Sequence, residues 1–491
     1  MTRVAKGVVS LLLAAWSGGA GACVLGAVYN LPIPFGMYAS GAGAALVVSF
    51  IVVAFVLRAP AATGNIDAAP SGSRHVSQLS LPRWVVSSAS CASLFGLLLT
   101  IVTGLLGSAN PLANFNMTFF WIIFWLGLTY ITALLGDLYS LANPWRALCG
   151  WLEHASPGIF RGRFHYPAWL GYYPALVLYA TLIWTELFGQ FQPQTLSVML
   201  LGYTGLNVVA AWMVGKDIWF RYGEFFSVFF RLIGKMAPIE YSSNSDGNAT
   251  YGIRIRRPFV GLLEVSADHF SLLLFVVFML SSTAFDGAHE TVPWVGMFWK
   301  GIYPMLSNHI VQPYLIWVSV YYIWQSAMLL LLPLCYLAVY LILLWLARTV
   351  THSGTTLPRL ALRFAFTLIP IAFVYNMTHY YGEFASQGIQ VLRMVSDPFS
   401  FGWNLFGTAH WFTDPIVLDA GAVWHTQVGL ILFGHIASVY LAHVEALKVF
   451  PSARHAVLSQ LPMLLLMVLL TTAGLWILSL PIDAGQLSTP L

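Results

Sequence analysis

Two runs in the C-terminal part of the chain carry ionisable side chains inside otherwise apolar stretches. FAFTLIPIAFVYNMTHYYGEF holds His379, Tyr380, Tyr381 and Glu383, and HTQVGLILFGHIASVYLAHVE holds His425, His435, His443 and Glu445. Ionisable groups within hydrocarbon are costly unless partnered, so they mark function. A single buried histidine is explained well enough by one helix–helix hydrogen bond. Several at matched depths favour a shared site. At a rise of ~1.5 Å per residue, His379 lies roughly 10 Å and His435 roughly 15 Å below the outer border of their runs. His269, early in the run that starts at 263, is expected roughly 18–21 Å below the same border of a ~30 Å core. Three imidazoles at one height form a first shell for a divalent metal, most simply zinc. Glu383, four residues after His379 on the same helical face, is placed to ligate or to act as general base on a metal-bound water. Asp268 points about 100° away from its neighbour His269 around the helix, which makes it a packing partner. Asp286 and His425 fall near the outer surface, at the entrance to such a site.

The elements that must position these groups follow from composition. The chain has 491 residues, 58% hydrophobic and 8% charged, with a formal net charge of +4. That is the profile of a polytopic membrane protein, since a soluble fold cannot hide so much apolar surface. The expected class is all-α, a membrane helix bundle with about 10–11 transmembrane helices and interfacial amphipathic helices on the cytoplasmic side. Residues 1–29 read as a signal peptide or a first transmembrane helix. Ten further spans are expected near 36–57, 85–106, 118–136, 171–189, 195–214, 263–283, 315–346, 363–386, 425–446 and 458–480. Residues 30–260 form an N-terminal helical half with cytoplasmic interfacial segments, and residues 261–491 a C-terminal half with the histidine-rich site. The run over 315–346 exceeds one crossing and is expected to tilt or to break at Pro333.

With the N-terminus inside, 20 of the 22 Lys and Arg fall in cytoplasmic segments, leaving Lys300 and Arg393 outside. Basic loops stay on the cytoplasmic side, so this asymmetry supports both span count and orientation. Within the inside segments, Asn143 and Pro144 open a short helix with Trp145, Arg146 and Trp151 as interfacial anchors. Asp217 to Met236 reads as a second interfacial helix. Pro60 to Pro82 is a flexible loop by composition. Outside, STAFDGAHETVPWVGMFWKGIYPMLSNHI and the Ser396–Pro415 connector are rich enough to serve as lids or binding loops. The four cysteines are scattered, without metal-ligand spacing. No Gly-rich nucleotide loop and no nucleic-acid-binding patch is present.

From about Leu31 to Leu447 the chain resembles a family of bacterial multi-spanning inner-membrane proteins named fenitrothion hydrolases. The segments that carry the resemblance are NLPIPFGMY, the NFNMTFFW…NPWRAL stretch, STAFDG, IPIAFVYNMTHYYGEF, SDPFSFGWNLFGT and VWHTQVGLILFGHIASVYLAHVEAL. The resemblance implies cleavage of a lipophilic organophosphate triester to a phenol and a dialkyl phosphate-type acid. His379, Asp286, His435 and His443 match its polar motifs. The family places His-Gly just before LPIP, where this chain has Val28, Tyr29 and Asn30. His269 has no counterpart in the pattern. The expected reaction is metal-dependent: a metal held by His269, His379 and His435 activates water, Glu383 or His443 shuttles the proton, and Asp286 lines the site. Two other classes fit the same residues. One is a redox subunit with haem b, with His379 and His435 as axial ligands. The other is a proton-coupled transporter. Expected partners are the lipid bilayer, a small lipophilic substrate and a second membrane or periplasmic subunit.

Overall fold

Within hydrocarbon every backbone N–H and C=O must be satisfied internally, so uninterrupted apolar runs have little choice but to become helices. The computed structural model describes residues 34–56, 79–189, 192–243, 251–307, 314–412 and 416–480. Among them, nine helical stretches are long and apolar enough to cross a membrane. Helices that position the site or its frame are α1 (Phe35–Val56), α2 (Arg83–Leu106), α3 (Phe115–Leu135), α4 (Pro144–Ala155), α5 (Tyr173–Phe188), α6 (Pro193–Val214), α7 (Lys216–Tyr222), α8 (Phe225–Gly234), α9 (Phe270–His289), α10 (Tyr314–Val350), α11 (Leu357–Phe364), α12 (Ile369–Gln387), α13 (Ala420–Val449) and α14 (Ala453–Ser479). The protein is a multi-pass, all-α membrane bundle. The expected first segment, 1–29, and most of the Pro60–Pro82 loop lie outside the described residues.

The bundle is centred on α9. Of its most apolar window, 72% is buried, against 17% for α1 at the periphery. Around it stand α5, α10, α12 and α14, and α13 closes the far side of α12. Contact between α12 and α13 is close because Gly434 lacks a side chain. A Cβ there would lie 2.4 Å from Val374 Cγ2 and 3.0 Å from the Pro370 carbonyl oxygen. A second layer of α2, α3 and α6 is tied by polar groups. Asn116 Nδ2 donates to the Pro193 carbonyl at 2.8 Å, and Ser197 Oγ to that of Ile101 at 2.9 Å.

The basic segments gather at one end, here called the basic face. Asn143 caps α4, its Oδ1 accepting from the Arg146 N–H at 2.9 Å. Trp145 departs from the expected interfacial anchor. It is buried, and its indole N–H donates to Thr204 at 2.9 Å, while Trp151 is exposed. The Asp217–Met236 stretch is also not one interfacial helix. It breaks between α7 and α8 at Glu224, whose buried carboxylate caps α8 by accepting from Ser227 N–H at 2.7 Å. Tyr203 and the Ser227 hydroxyl also donate to Glu224, each at 2.5 Å. A carboxylate with this many donors is stable in the interior. It turns the Phe225, Phe226, Phe229 and Phe230 rings into the bundle instead of along the interface. A small antiparallel sheet covers this end, with β1 (Leu79–Leu81), β2 (Ile239–Ser243) and β3 (Tyr251–Ile255) in the order β1-β3-β2.

α10 runs unbroken through Pro333, which leaves tilt as the remaining alternative for this long run. One other expectation changes. α9 starts at Phe270 instead of 263, because residues 265–269 are extended or bent and His269 caps the helix.

Packing at Gly434 yields one test. Gly434→Ala is expected to destabilise the detergent-solubilised protein by about 1–3 kcal/mol through overpacking, with Val374→Ala restoring part of the loss in the thermal melt. A second test concerns pH. Burial pushes the Asp137 carboxyl from 3.8 up to about 6, against the lowering pull of the Ser140 N–H, Arg231 and Lys235. A folded-state value above the unfolded one means the native state holds the proton more tightly, so stability falls as pH rises through that interval. Melting temperature in Asp137→Asn should therefore decline less than in the parent between pH 3.8 and 6.

Candidate functional site

α9, α12 and α5 bring acidic, imidazole and phenol groups together away from the basic face. Asp286 lies one turn before the end of α9, and His379 lies in the second half of α12. His379 Nε2 is 2.9 Å from Asp286 Oδ2, with the carboxylate side chain 11% and the imidazole 28% exposed. The neighbouring Tyr380 hydroxyl is 2.6 Å from the same Oδ2 and 3.1 Å from Glu186 Oε1 on α5. His289, one turn beyond Asp286, turns Nδ1 back to the Asp286 carbonyl at 2.7 Å and stacks on Phe285. The helices approach because α9 packs on both α5 and α12.

The orientation of His379 defines what it can do. Nε2–H donates to Asp286, so in the neutral ring Nδ1 keeps its lone pair. Nδ1 sits beside Gly287, where a Cβ would be 3.6 Å from it and 3.0 Å from Ile477 Cγ2. Glycine at this position leaves Nδ1 open to a cleft between α9, α10, α12, α13 and α14. Its walls are largely apolar, including Ala284, Tyr336, Ile431, Gly474 and Ile477. A base held by a carboxylate and facing an apolar cleft can take a proton from water or from a hydroxyl group. Glu383 is one turn from His379 toward the opposite face, and its carboxylate has no hydrogen bond to another described residue.

The other expected ligands are elsewhere. His269 is the cap of α9: Nδ1 accepts from Ser271 N–H at 3.1 Å and lies 2.6 Å from Ser271 Oγ. Seventeen residues of helix, roughly 25 Å, separate it from Asp286. His435 is buried on α13, its Nδ1 bonded to the Ile431 carbonyl at 2.8 Å and its ring 5.7 Å from Tyr375. Height is fixed by Gln427, whose Nε2 donates to the Thr378 carbonyl at 2.8 Å. His435 is eight residues past that level, roughly 12 Å nearer the basic face. His443 is eight residues further still, with its ring 6.3 Å from that of Phe50 on α1. The trio His269, His379 and His435 therefore does not converge. Among the described residues no group of three or more His, Cys, Asp and Glu side chains is arranged to hold a metal ion. Nor do His379 and His435 face each other as an axial pair, because roughly 12 Å of height separates them.

Asp286 is inside the bundle and not at an entrance, because α9 extends six residues past the expected border at 283. His425 is exposed, its Nδ1 bonded to the Gly421 carbonyl at 2.7 Å. The connector after Ser396 folds over the ends of α2 and α3, with Ser108 N–H donating to the Phe399 carbonyl at 3.2 Å. Glu186 and the role of Tyr380 were not anticipated. An acidic residue in the run YATLIWTELF was itself the available signal.

No family model, curated protein or solved structure matches the chain.

Histidine NMR checks this arrangement. In ¹⁵N-histidine-labelled protein, Asp286→Asn should shift the His379 ring resonances, whereas His269→Ala should leave them in place and lower stability by about 1 kcal/mol through loss of the cap.

Proposed function

We propose that this protein is an intramembrane hydrolase of lipophilic esters in which His379, held by Asp286, is the general base that activates water. The observation that carries the proposal is the pairing of the two side chains at 2.9 Å with the second ring nitrogen facing an apolar cleft. The resemblance to fenitrothion hydrolases points to organophosphate triesters as the substrate class and to the bacterial inner membrane as the location. The cleft is narrow as it stands, so a neutral triester dissolved in the bilayer reaches His379 only where the helices part to widen it. Water between Nδ1 and phosphorus gives its proton to Nδ1 as its oxygen bonds phosphorus. The P–O bond to the aryl group breaks, and the departing phenolate takes the proton from the imidazolium. Asp286 stabilises the imidazolium while it exists. Glu383 is placed to pass protons toward the opposite face. The expected metal ligands do not form a set, so no step is routed through a metal.

A second reading, proton-coupled transport, draws on the same cluster, since Glu186, Asp286, Glu383, His379 and Tyr380 resemble the acid–base groups of intramembrane relays. Proteoliposomes separate the two: substrate-driven proton flux without product belongs to transport, and release of a phenol belongs to hydrolysis.

Turnover of a lipophilic aryl phosphotriester by the purified protein is expected to fall by roughly 10²–10⁴-fold in His379→Ala and in Asp286→Ala. His269→Ala should keep turnover near the parent value. Undiminished turnover in both His379→Ala and Asp286→Ala would remove the assignment.

A further inference from the structure

The Tyr380 hydroxyl has one proton and two carboxylates within reach. Asp286 Oδ2 is 2.6 Å away, Glu186 Oε1 3.1 Å away. A phenol donates one hydrogen bond and accepts through its lone pairs. Were both acids ionised, one of them would face the phenol oxygen with no hydrogen between them. The two acids are not equivalent. Asp286 has a second donor in His379 Nε2–H. Glu186 Oε2 is buried without a hydrogen-bond partner among the described residues. An ionised carboxylate so placed would be left almost undonated in the interior, whereas a neutral acid leaves there only a carbonyl oxygen. The charged or titratable groups near Glu186 include Asp286 from α9, His379, Tyr380 and Glu383 from α12, and Tyr179 on its own helix. From α10, Tyr322 and Ser326 meet Phe188 and Trp184 of the same helix.

We infer that Glu186 is a neutral carboxylic acid that donates to the Tyr380 oxygen, while Tyr380 donates to an ionised Asp286. The hydrogen bonds then run in one sense from Glu186 through Tyr380 to Asp286, and His379 donates to Asp286 from the other side. Glu186 stores a proton one hydroxyl away from the partner of His379. Transfer is a two-bond shift with no electron change. The O–H bond of Glu186 breaks as one forms on Tyr380. The original Tyr380 O–H bond breaks as one forms on Asp286 Oδ2. Glu186 ends ionised, Asp286 ends neutral, and the His379 ring loses its anionic partner. Glu186 is thus a positioning residue: it sets whether His379 has an anionic partner. This inference stands on the hydrogen bonds and does not rest on the hydrolase reading.

The test is infrared difference spectroscopy of the full-length protein on H₂O/D₂O exchange, which needs no substrate. A carboxylic acid C=O component that moves on deuteration is expected in the parent. It should vanish in Glu186→Gln and remain in Asp286→Asn. In Tyr380→Phe, which alters neither acid, the component should persist at higher frequency because the acid has lost its acceptor. Survival of every such component in Glu186→Gln, loss of that component in Asp286→Asn, or an unmoved band in Tyr380→Phe would each overturn the inference. If the Glu186 variant does not fold, the Tyr380 and Asp286 variants still decide.

Discussion

An ionisable side chain in a membrane interior is tolerated only when its charge is matched where it sits. Removing one partner of a buried ion pair costs about 3–5 kcal/mol, because the other is stranded. The His379 Nε2–H, 2.9 Å from Asp286 Oδ2, meets this requirement for the carboxylate and ties two helices together. Much of the surrounding structure follows. α9 must lie at the centre of the bundle, with α12 on one side and α5 on another, so that Tyr380 and Glu186 complete the cluster. Gly287 must lack a side chain, or the free nitrogen of the imidazole would be crowded against Ile477.

The basic face solves the same problem in a different way. There the charges are paired near the edge of the bundle or at helix ends. Arg363 and Lys448 both reach Glu445 at 2.9 Å, and Glu224 is held by backbone and hydroxyl donors, with no cation in contact among the described residues. These arrangements fix the ends of α8, α11 and α13. Among the described residues, the Asp286 cluster instead leaves groups without a hydrogen-bond partner, notably Nδ1 of His379, Oε2 of Glu186 and the Glu383 carboxylate. A network built only for stability would tend to close such positions. Open acid–base positions beside an apolar cleft are what chemistry on a lipid-soluble molecule requires.

Composition and charge made the helical bundle legible. Long apolar runs leave no alternative backbone conformation in lipid, and nine of the ten spans expected after residue 30 have a counterpart long enough to cross; the tenth is the 16-residue α5. The site was legible only in part. His379 and Asp286 stood out as ionisable residues near apolar runs, and each was singled out separately. Their pairing was hidden because hydropathy does not register that α9 is capped by His269 and runs on through Asp286. That shift carried His269 out of the expected layer and Asp286 into the interior. His435 failed for a related reason. Depth measured from a span border does not set the height of one helix against another, which the Gln427–Thr378 bond does. Glu186 lay three residues inside the expected border at 189 and was not singled out. Which way a side chain faces around its helix depends on packing that a single sequence does not display.

The most direct measurement is a double-mutant cycle for Asp286→Ala and His379→Ala, read as thermal or denaturant stability in detergent or lipid. A direct buried pair predicts that the double variant is well short of the sum of the single losses, with a coupling of about 2–3 kcal/mol. Losses that add to within about 0.5 kcal/mol would show that the two side chains do not touch, and the site assembled around them would not exist.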